Sequence, residues 1–113
     1  MLFRSEERQR LEDLRARIDQ EVRDAYLDLE AAGQEVSVEK SAVALATQTL
    51  EQTRDRFSSG VTDNIEVVQA QDALATASDA YIASLYSYNV SKISLARATG
   101  VAESRYSEYL RGN

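Results

Sequence analysis

The acidic side chains are the first candidates for chemistry in this sequence. The chain has no histidine and no cysteine, so the commonest general bases, nucleophiles and transition-metal ligands are missing. Asp72 and Asp79 are seven residues apart, which places both carboxylates on one helix face, as a pair for glycoside chemistry would need. Nothing in the sequence shapes a concave site around them, so a solvent-exposed helix face is the better interpretation.

Two other groups of residues suggest binding rather than catalysis. Asp63, Asn64 and Glu66 offer oxygen ligands to a cation, but capping of a helix is the simpler role for them. Tyr81 and Tyr88 suggest a stacking platform for a ligand, but their spacing of seven is typical of a helix-packing seam. We therefore predict no enzyme activity, no catalytic residue, no metal site and no cofactor.

The charge of the chain argues against nucleic acid as a partner. There are 19 acidic and 13 basic residues, which give a formal net charge of −6. Phosphate binding needs clustered Lys and Arg, whereas the arginines near the N-terminus alternate with acidic residues, as in Glu6, Glu7 and Arg8. This alternation is typical of a solvated helix face with ion pairs.

The sequence also lacks the segments that would insert it into a membrane as a helix. No apolar run approaches the roughly 20 residues that a helical span needs. Met1, Leu2 and Phe3 are followed at once by charged residues, so the N-terminus does not resemble a signal peptide. We expect the chain to be a piece of a larger protein, and we expect this piece to be soluble.

The first half of the chain carries an apolar repeat of seven residues. One row of the repeat is mostly large, and a second row between its members is mostly small. The rows are Val22, Leu29, Val36, Val43, Leu50 and Phe57, and Ile18, Ala25, Ala32, Glu39, Ala46 and Thr53. This spacing predicts a helix that packs through a coiled-coil seam. A further stripe gives the helix a second apolar face: Leu27, Ala31, Val38, Ala42 and Leu45.

The second half repeats the scheme. Its seam rows are again one large and one small: Val67, Leu74, Tyr81, Tyr88 and Leu95, and Ala70, Ala77, Ser84, Ser91 and Ala98. Large rows against small rows allow two helices to approach closely. A second face is also present, through Val68, Ala75, Ile82, Tyr86, Ile93 and Ala96. Each helix is therefore predicted to need a neighbour on two sides.

The segment between the two repeats holds the one credible interior break in a chain without proline. Gly60 can adopt a positive φ and so close the first helix. Asp63 or Thr62 is placed to cap the next helix, and Glu66 stands three residues after Asp63, as in a capping box. The sequence therefore predicts a tight turn between two long helices.

These patterns predict an all-α fold, a long antiparallel coiled-coil helical hairpin that forms one domain over residues 1–113. We expect the first helix at about residues 4–58, the turn at 59–63 and the second helix at about 64–98. Thr99 and Gly100 are expected to end the second helix. Residues 101–113 are then a tail with room for a short C-terminal helix.

The stretch from Arg56 to Gln71 resembles the outer membrane efflux protein family, the TolC-like channels. It shares with the second repeat of that family an aromatic residue three positions before a glycine, a small polar turn and a hydrophobic pair before Ala-Gln. Residues 22–29, 81–89 and 95–100 are similar to further parts of the same helices. The resemblance covers about residues 15–101, in the order that the C-terminal repeat of the family has.

The resemblance implies a periplasmic tunnel-wall segment of a trimeric outer-membrane channel for efflux or type I secretion in a Gram-negative bacterium. In such channels a β-barrel crosses the membrane and a long helical tunnel crosses the periplasm. The implied partners are a periplasmic adaptor protein, also called a membrane fusion protein, and through it an inner-membrane pump. The parent protein would be a homo-oligomer, a trimer in this family.

The resemblance also implies roles for individual residues. The turn would be the periplasmic tip that docks the adaptor, and the first turns of the following helix would line the closed aperture of the channel. The tip residues are Phe57, Ser58, Ser59, Gly60, Val61, Thr62 and Asp63, and the aperture-lining residues are Glu66 and Gln69. One Glu66 per subunit around a three-fold axis would form a charged ring that tunes ion selectivity.

The two apolar faces of each helix agree with this interpretation, because a helix in a tunnel wall contacts a neighbour on both sides. An isolated hairpin would leave one face exposed, so we expect the chain to self-associate. The alternative function is a coiled-coil interaction hairpin of an adaptor or scaffold protein. An adaptor hairpin is normally inserted into a lipoyl-like β domain, and no such strands flank this one.

Overall fold

Two long helices make up the part of the chain that the structure describes. The structure is a computed structural model, and it describes the backbone of residues 2–111 and the side chains of 4–105, 107 and 108. Helix α1 spans Leu2–Ser58 and helix α2 spans Asn64–Arg111, with no strand in residues 2–111. The predicted fold class, an all-α helical hairpin, is confirmed.

The long helices follow from the absence of residues that break them. No proline interrupts either helix, and the backbone of the described residues has a positive φ at Gly60 alone. Gly33 lies inside α1 without ending it. Within a protein, a helix gains most of its stability from packing of its apolar face, so the arrangement of the seam decides the fold.

The chain divides into two compact units, each built from parts of both helices. The end unit consists of Met1–Ala31 with Val90–Asn113, and the turn unit consists of Ala32–Asn89. In the turn unit, Leu50, Val67 and Ala70 form a buried cluster, and Leu74 packs against it. These four residues all belong to the predicted seam rows, so the buried cluster lies on the face that those rows define.

Two polar residues are buried in the seam of the turn unit. Thr53 is 3% exposed, and its hydroxyl donates a hydrogen bond to the Thr49 carbonyl at 2.7 Å. The Ser84 hydroxyl donates in the same way to the Tyr81 carbonyl at 2.7 Å. Each hydroxyl is satisfied within its own helix, so neither needs a partner across the seam.

Gly33 provides a point of close approach in the turn unit. A Cβ atom built on it would lie 3.4 Å from Cε2 of Tyr88, so the aromatic ring lies directly over the glycine backbone. Tyr81 and Tyr88 are both half-buried in the seam. The tyrosines therefore act as packing residues, as their spacing of seven suggests.

The end unit has its own seam. Ile18 and Ala102 are buried there, and Val22 and Leu95 are half-buried beside them. These four residues line one groove, whose surface is mostly apolar. The seam spacing of seven along α2 reaches Ala102 from Leu95, which explains why this alanine is covered.

The predicted end of the second helix at Thr99-Gly100 is wrong. Helix α2 continues through Gly100 to Arg111, so residues 101–111 are not a separate tail or a separate short helix. Gly100 has no positive φ, and its cost in a helix is about 1 kcal/mol relative to alanine. Burial of Ala102 in the seam offsets such a cost. Residues 112 and 113 lie outside the described residues.

Candidate functional site

The turn between α1 and α2 closes through backbone hydrogen bonds around Gly60. The glycine has a φ of +76°. The Val61 N–H donates to the Arg56 carbonyl at 2.9 Å, and the Gly60 N–H donates to the Phe57 carbonyl at 3.0 Å. These two bonds form the Schellman motif, which satisfies carbonyls that the end of a helix leaves unpaired.

Ser59 strengthens the same closure. Its backbone N–H and its hydroxyl both donate to the Asp55 carbonyl, at 3.1 Å and 3.0 Å. Three consecutive backbone N–H groups, from Ser59 to Val61, are therefore bonded to the last turn of α1. These bonds leave no unpaired backbone N–H group between Ser59 and Val61.

The start of α2 is capped by a side chain, as the sequence predicts. The Glu66 N–H donates to Oδ1 of Asp63 at 3.3 Å, so Asp63 is the capping residue. The second half of a capping box is not formed with the backbone: the Glu66 carboxylate instead accepts a hydrogen bond from the Thr62 hydroxyl. Glu66 therefore ties the turn to the first turn of α2.

The closed turn leaves several apolar side chains exposed. Phe57 is 47% exposed and Val61 is 73% exposed, and Ile65 on the first turn of α2 is also exposed. The assignment of Phe57 to the covered seam is therefore wrong. Helix α2 begins only at Asn64 and its first seam residue is Val67, so α2 has no side chain that covers Phe57 at the end of α1.

The predicted aperture-lining residues lie on the exposed surface of α2. Glu66 and Gln69 are exposed, and so are Asp72 and Asp79 further along the helix. Among residues 57–91 there is no Lys or Arg, so the charged residues of this stretch are all acidic. Within the described residues, no group of His, Cys, Asp or Glu has an arrangement that could hold a metal ion.

Each helix also exposes a second apolar face along its length. The α1 outer stripe consists of Leu27, Ala31, Val38, Ala42 and Leu45, and the α2 outer stripe consists of Val68, Ala75, Ile82, Tyr86, Ile93 and Ala96. Within the α1 outer stripe Ala42 is half-buried and the others are exposed, and all six residues of the α2 outer stripe are exposed. Val38 and Leu45 are both 65% exposed, which is unusual for large aliphatic side chains in such a regular row.

One feature of the surface was not predicted from the sequence, the groove of the end unit. Charged side chains border its apolar floor: Asp19 and Arg23 on α1, and Glu103 on α2. Ala102 and Glu103 line the groove, and both lie beyond Gly100, where the sequence predicts a tail. The spacing of seven from Leu95 to Ala102 is the pattern that could have revealed it.

Comparison with known proteins identifies a family whose model matches this chain. The family model described as outer membrane efflux protein matches residues 4–101, which is most of the chain. No curated protein and no solved structure matches the chain at the level that a relationship requires. Within the described residues, neither helix is apolar enough over a sufficient length to cross a membrane.

Proposed function

We propose that this chain, which belongs to the outer membrane efflux protein family, is a periplasmic wall segment of an efflux or type I secretion channel. The family consists of transport proteins of the Gram-negative outer membrane, and it is not a family of enzymes. In this proposal the helical hairpin belongs to a tunnel that crosses the periplasm, in a parent protein that is a trimer. Its turn docks a periplasmic adaptor, which connects the channel to an inner-membrane pump.

The observation that carries the wall assignment is the pair of exposed outer stripes. Each helix covers one apolar face within the hairpin and leaves a second apolar face in solvent. Regular exposed apolar rows on a monomer mark surfaces that bind other proteins. A closed wall of helices uses both faces of every helix, because each helix has a neighbour on either side.

The docking assignment depends on the shape and the polarity of the turn. Its backbone is fixed by the Schellman bonds and by the Asp63 cap, while Phe57, Val61 and Ile65 are left exposed around it. A rigid surface of this kind loses little conformational entropy on binding. An adaptor that presents apolar side chains at its own tip is a partner of matching chemistry. The proposed contact residues are Phe57, Ser58, Ser59, Gly60, Val61, Thr62 and Asp63.

The proposed aperture role of Glu66 and Gln69 is supported by their position next to this tip. Both side chains are exposed, and the Thr62 hydroxyl holds the Glu66 carboxylate near the turn. In a trimeric parent, three copies of Glu66 around the axis would form a ring of negative charge at the entrance. Such a ring raises the local affinity for cations and affects selectivity.

A cross-linking experiment in the parent channel tests the docking role. A photoreactive amino acid at Val61 should cross-link to the adaptor in cells, whereas the same amino acid at Ser37, on the exposed surface of α1 away from the turn, should not. Gly60→Val should lower resistance to exported compounds without lowering the amount of channel in the membrane. Cross-linking at Ser37 but not at Val61, or unchanged resistance in Gly60→Val cells, would show that the turn is not the docking point.

The wall role is tested separately through the assembly of the parent. Leu45→Glu places a charge in the α1 outer stripe and should prevent formation of the oligomer. Gln48→Glu adds the same charge at an exposed position outside the stripe and should leave assembly unchanged. Native gel electrophoresis of membrane extracts distinguishes the two results. Normal assembly of the Leu45→Glu protein would show that the α1 outer stripe is not a contact surface in the wall.

A further inference from the structure

A single charged residue of the turn unit lies in the seam. Glu39 occupies a position of the small row of α1, between Ala32 and Ala46. It is half-buried, whereas every other charged residue among the described side chains is exposed. We infer that Glu39 is a built-in weak point of the seam, at which α1 and α2 separate locally while the contacts on either side stay closed. This inference concerns the hairpin itself and does not depend on the proposed efflux role.

The residues of α2 that face Glu39 follow from the pairing of the two helices. Tyr88 lies against Gly33, which fixes the levels of the two helices relative to each other. Both helices rise by the same amount per residue, so Glu39 is level with Tyr81 and Ser84 to within about two residues. Both belong to the seam rows of α2. We call Glu39, Tyr81 and Ser84 together the Glu39 layer.

The carboxylate of Glu39 has no partner in this layer. It makes no hydrogen bond and no ion pair with another of the described residues. No Lys or Arg occurs between residues 57 and 91, so this part of α2 offers no base. The Ser84 hydroxyl donates to the Tyr81 carbonyl of its own helix at 2.7 Å. An ionised carboxylate without a partner has to keep its contact with water, so Glu39 brings water to the edge of the seam.

Separation of the helices at the Glu39 layer costs little free energy. The hydrogen bond of the Ser84 hydroxyl lies within α2, so it survives the separation. Tyr81 is only half-buried in the closed hairpin. The carboxylate of Glu39 gains hydration, and the surface that α1 exposes at this level belongs to a polar side chain. A polar residue at one seam position lowers the stability of a coiled coil for the same reason.

The seam is held more strongly on both sides of this layer. Toward the turn, Leu50, Val67 and Ala70 form the buried cluster. In the other direction, the ring of Tyr88 lies over the backbone of Gly33. Separation at either place would expose apolar area that is now covered, which is unfavourable in water. Opening of the Glu39 layer therefore leaves the turn and its buried cluster intact.

Hydrogen exchange of the full chain, at a concentration where it is monomeric, tests this inference. In the natural chain the amides of residues 80–85 should exchange about tenfold faster than those of residues 68–73, because the Glu39 layer opens more often than the cluster. Glu39→Ala continues the small row and should slow exchange in residues 80–85 several-fold. These amides belong to α2, so the helix propensity of an alanine on α1 does not act on them directly.

Glu35→Ala is the matched control for Glu39→Ala. It removes the same side chain and the same charge one turn earlier on α1, at an exposed position. It should leave exchange in residues 80–85 unchanged. Equal exchange in the natural and the Glu39→Ala chains would overturn the inference, and so would equal slowing by Glu35→Ala.

Thiol labelling gives a second readout, because the natural chain has no cysteine. Ser84 is 4% exposed and Ala70 is 8% exposed, so a cysteine at either position reacts with a water-soluble maleimide only when the seam opens. Ser84→Cys should react about tenfold faster than Ala70→Cys. Adding Glu39→Ala should slow the reaction of Ser84→Cys several-fold. Equal protection of the two cysteines would show that the seam opens as one unit, without a weak point at Glu39.

Discussion

The seam and the outer stripes differ in their surroundings although they are built from the same types of residue. Leu50 in the seam is 7% exposed, whereas Leu45, five positions earlier on α1, is 65% exposed. Val67 in the seam of α2 is buried, whereas the adjacent Val68 in the α2 outer stripe is exposed. Both regions repeat every seven residues, so the repeat alone does not distinguish a covered row from an exposed one.

Because of this difference, the seam stabilises the folded hairpin, whereas the outer stripes stabilise association with other surfaces. Buried apolar area stabilises the folded hairpin, at about 25 cal/mol per Å². Exposed apolar rows contribute nothing of this kind until another surface covers them, and they then stabilise the association instead. Substitutions in the seam should therefore change the free energy of unfolding, and substitutions in the outer stripes should change assembly.

The largest expected effect comes from Leu50→Ala in the seam. Leu50 packs with Val67 and Ala70, so truncation leaves a cavity and should lower the free energy of unfolding by about 2–4 kcal/mol. Urea denaturation followed by circular dichroism measures the change. Leu45→Ala is the matched control, with an expected loss below about 0.5 kcal/mol at a concentration where the chain is monomeric. Equal losses at Leu50 and Leu45 would contradict the distinction between seam and stripe.

The next effect concerns the turn that sets the register of the seam. Gly60 has a φ of +76°, and a Cβ atom there would meet nothing within 4 Å, so the cost of a side chain is conformational. Gly60→Val should lower the free energy of unfolding by about 1–2 kcal/mol. Gly60→Asn should cost less, because asparagine tolerates left-handed backbone. The two variants should be compared in one denaturation series, and an equal cost would argue against left-handed geometry at this residue.

Loss of the helix cap should have a somewhat smaller effect. Asp63→Ala leaves the Glu66 N–H without its side-chain acceptor, which should cost about 1 kcal/mol. Hydrogen exchange at the first amides of α2 should become faster in this variant. Asp72→Ala removes an equal charge from the middle of the exposed face, and we expect it to change the stability by no more than about 0.5 kcal/mol. A similar loss of stability in the Asp63→Ala and Asp72→Ala variants would mean that the removed charge, rather than the lost cap, causes the effect.

The smallest expected effect tests the continuity of α2. Gly100 is helical and has open space around a Cβ position, so Gly100→Ala should raise the free energy of unfolding by about 0.5–1 kcal/mol. Gly33→Ala should gain less, because its Cβ atom would contact the Tyr88 ring at 3.4 Å. Thermal denaturation of the two variants shows which substitution stabilises the chain more. A destabilised Gly100→Ala chain would mean that α2 ends near this residue.

The seam and the turn could be predicted because their patterns are local. Spacing of seven along one helix defines a row without knowledge of the partner, and the buried cluster at Leu50, Val67 and Ala70 falls on the predicted rows. Glycine at position 60 marks the place where α1 must reverse direction. Asp63 is one of the few residue types that cap helices, so its role follows from its type and position.

Two local patterns conflict at the end of α2, because the spacing of seven continues from Leu95 to Ala102, past an apparent helix end. Thr99 and Gly100 resemble a helix C-terminus. Helix α2 nevertheless continues past them, because Ala102 is buried in the seam of the end unit. A packing gain that involves another helix outweighs a local propensity of about 1 kcal/mol. The same reason explains Phe57, which continues the repeat in sequence but has no side chain of α2 to cover it.

The sequence by itself determined that this chain forms two helices, where the turn between them lies and which rows repeat along them. These properties depend on backbone sterics and on spacing within one helix. Only the tertiary structure decided how far α2 extends and that Phe57 is exposed at the end of α1. Those outcomes depend on contacts between residues distant in the chain, and no local pattern contains the free energy of such contacts.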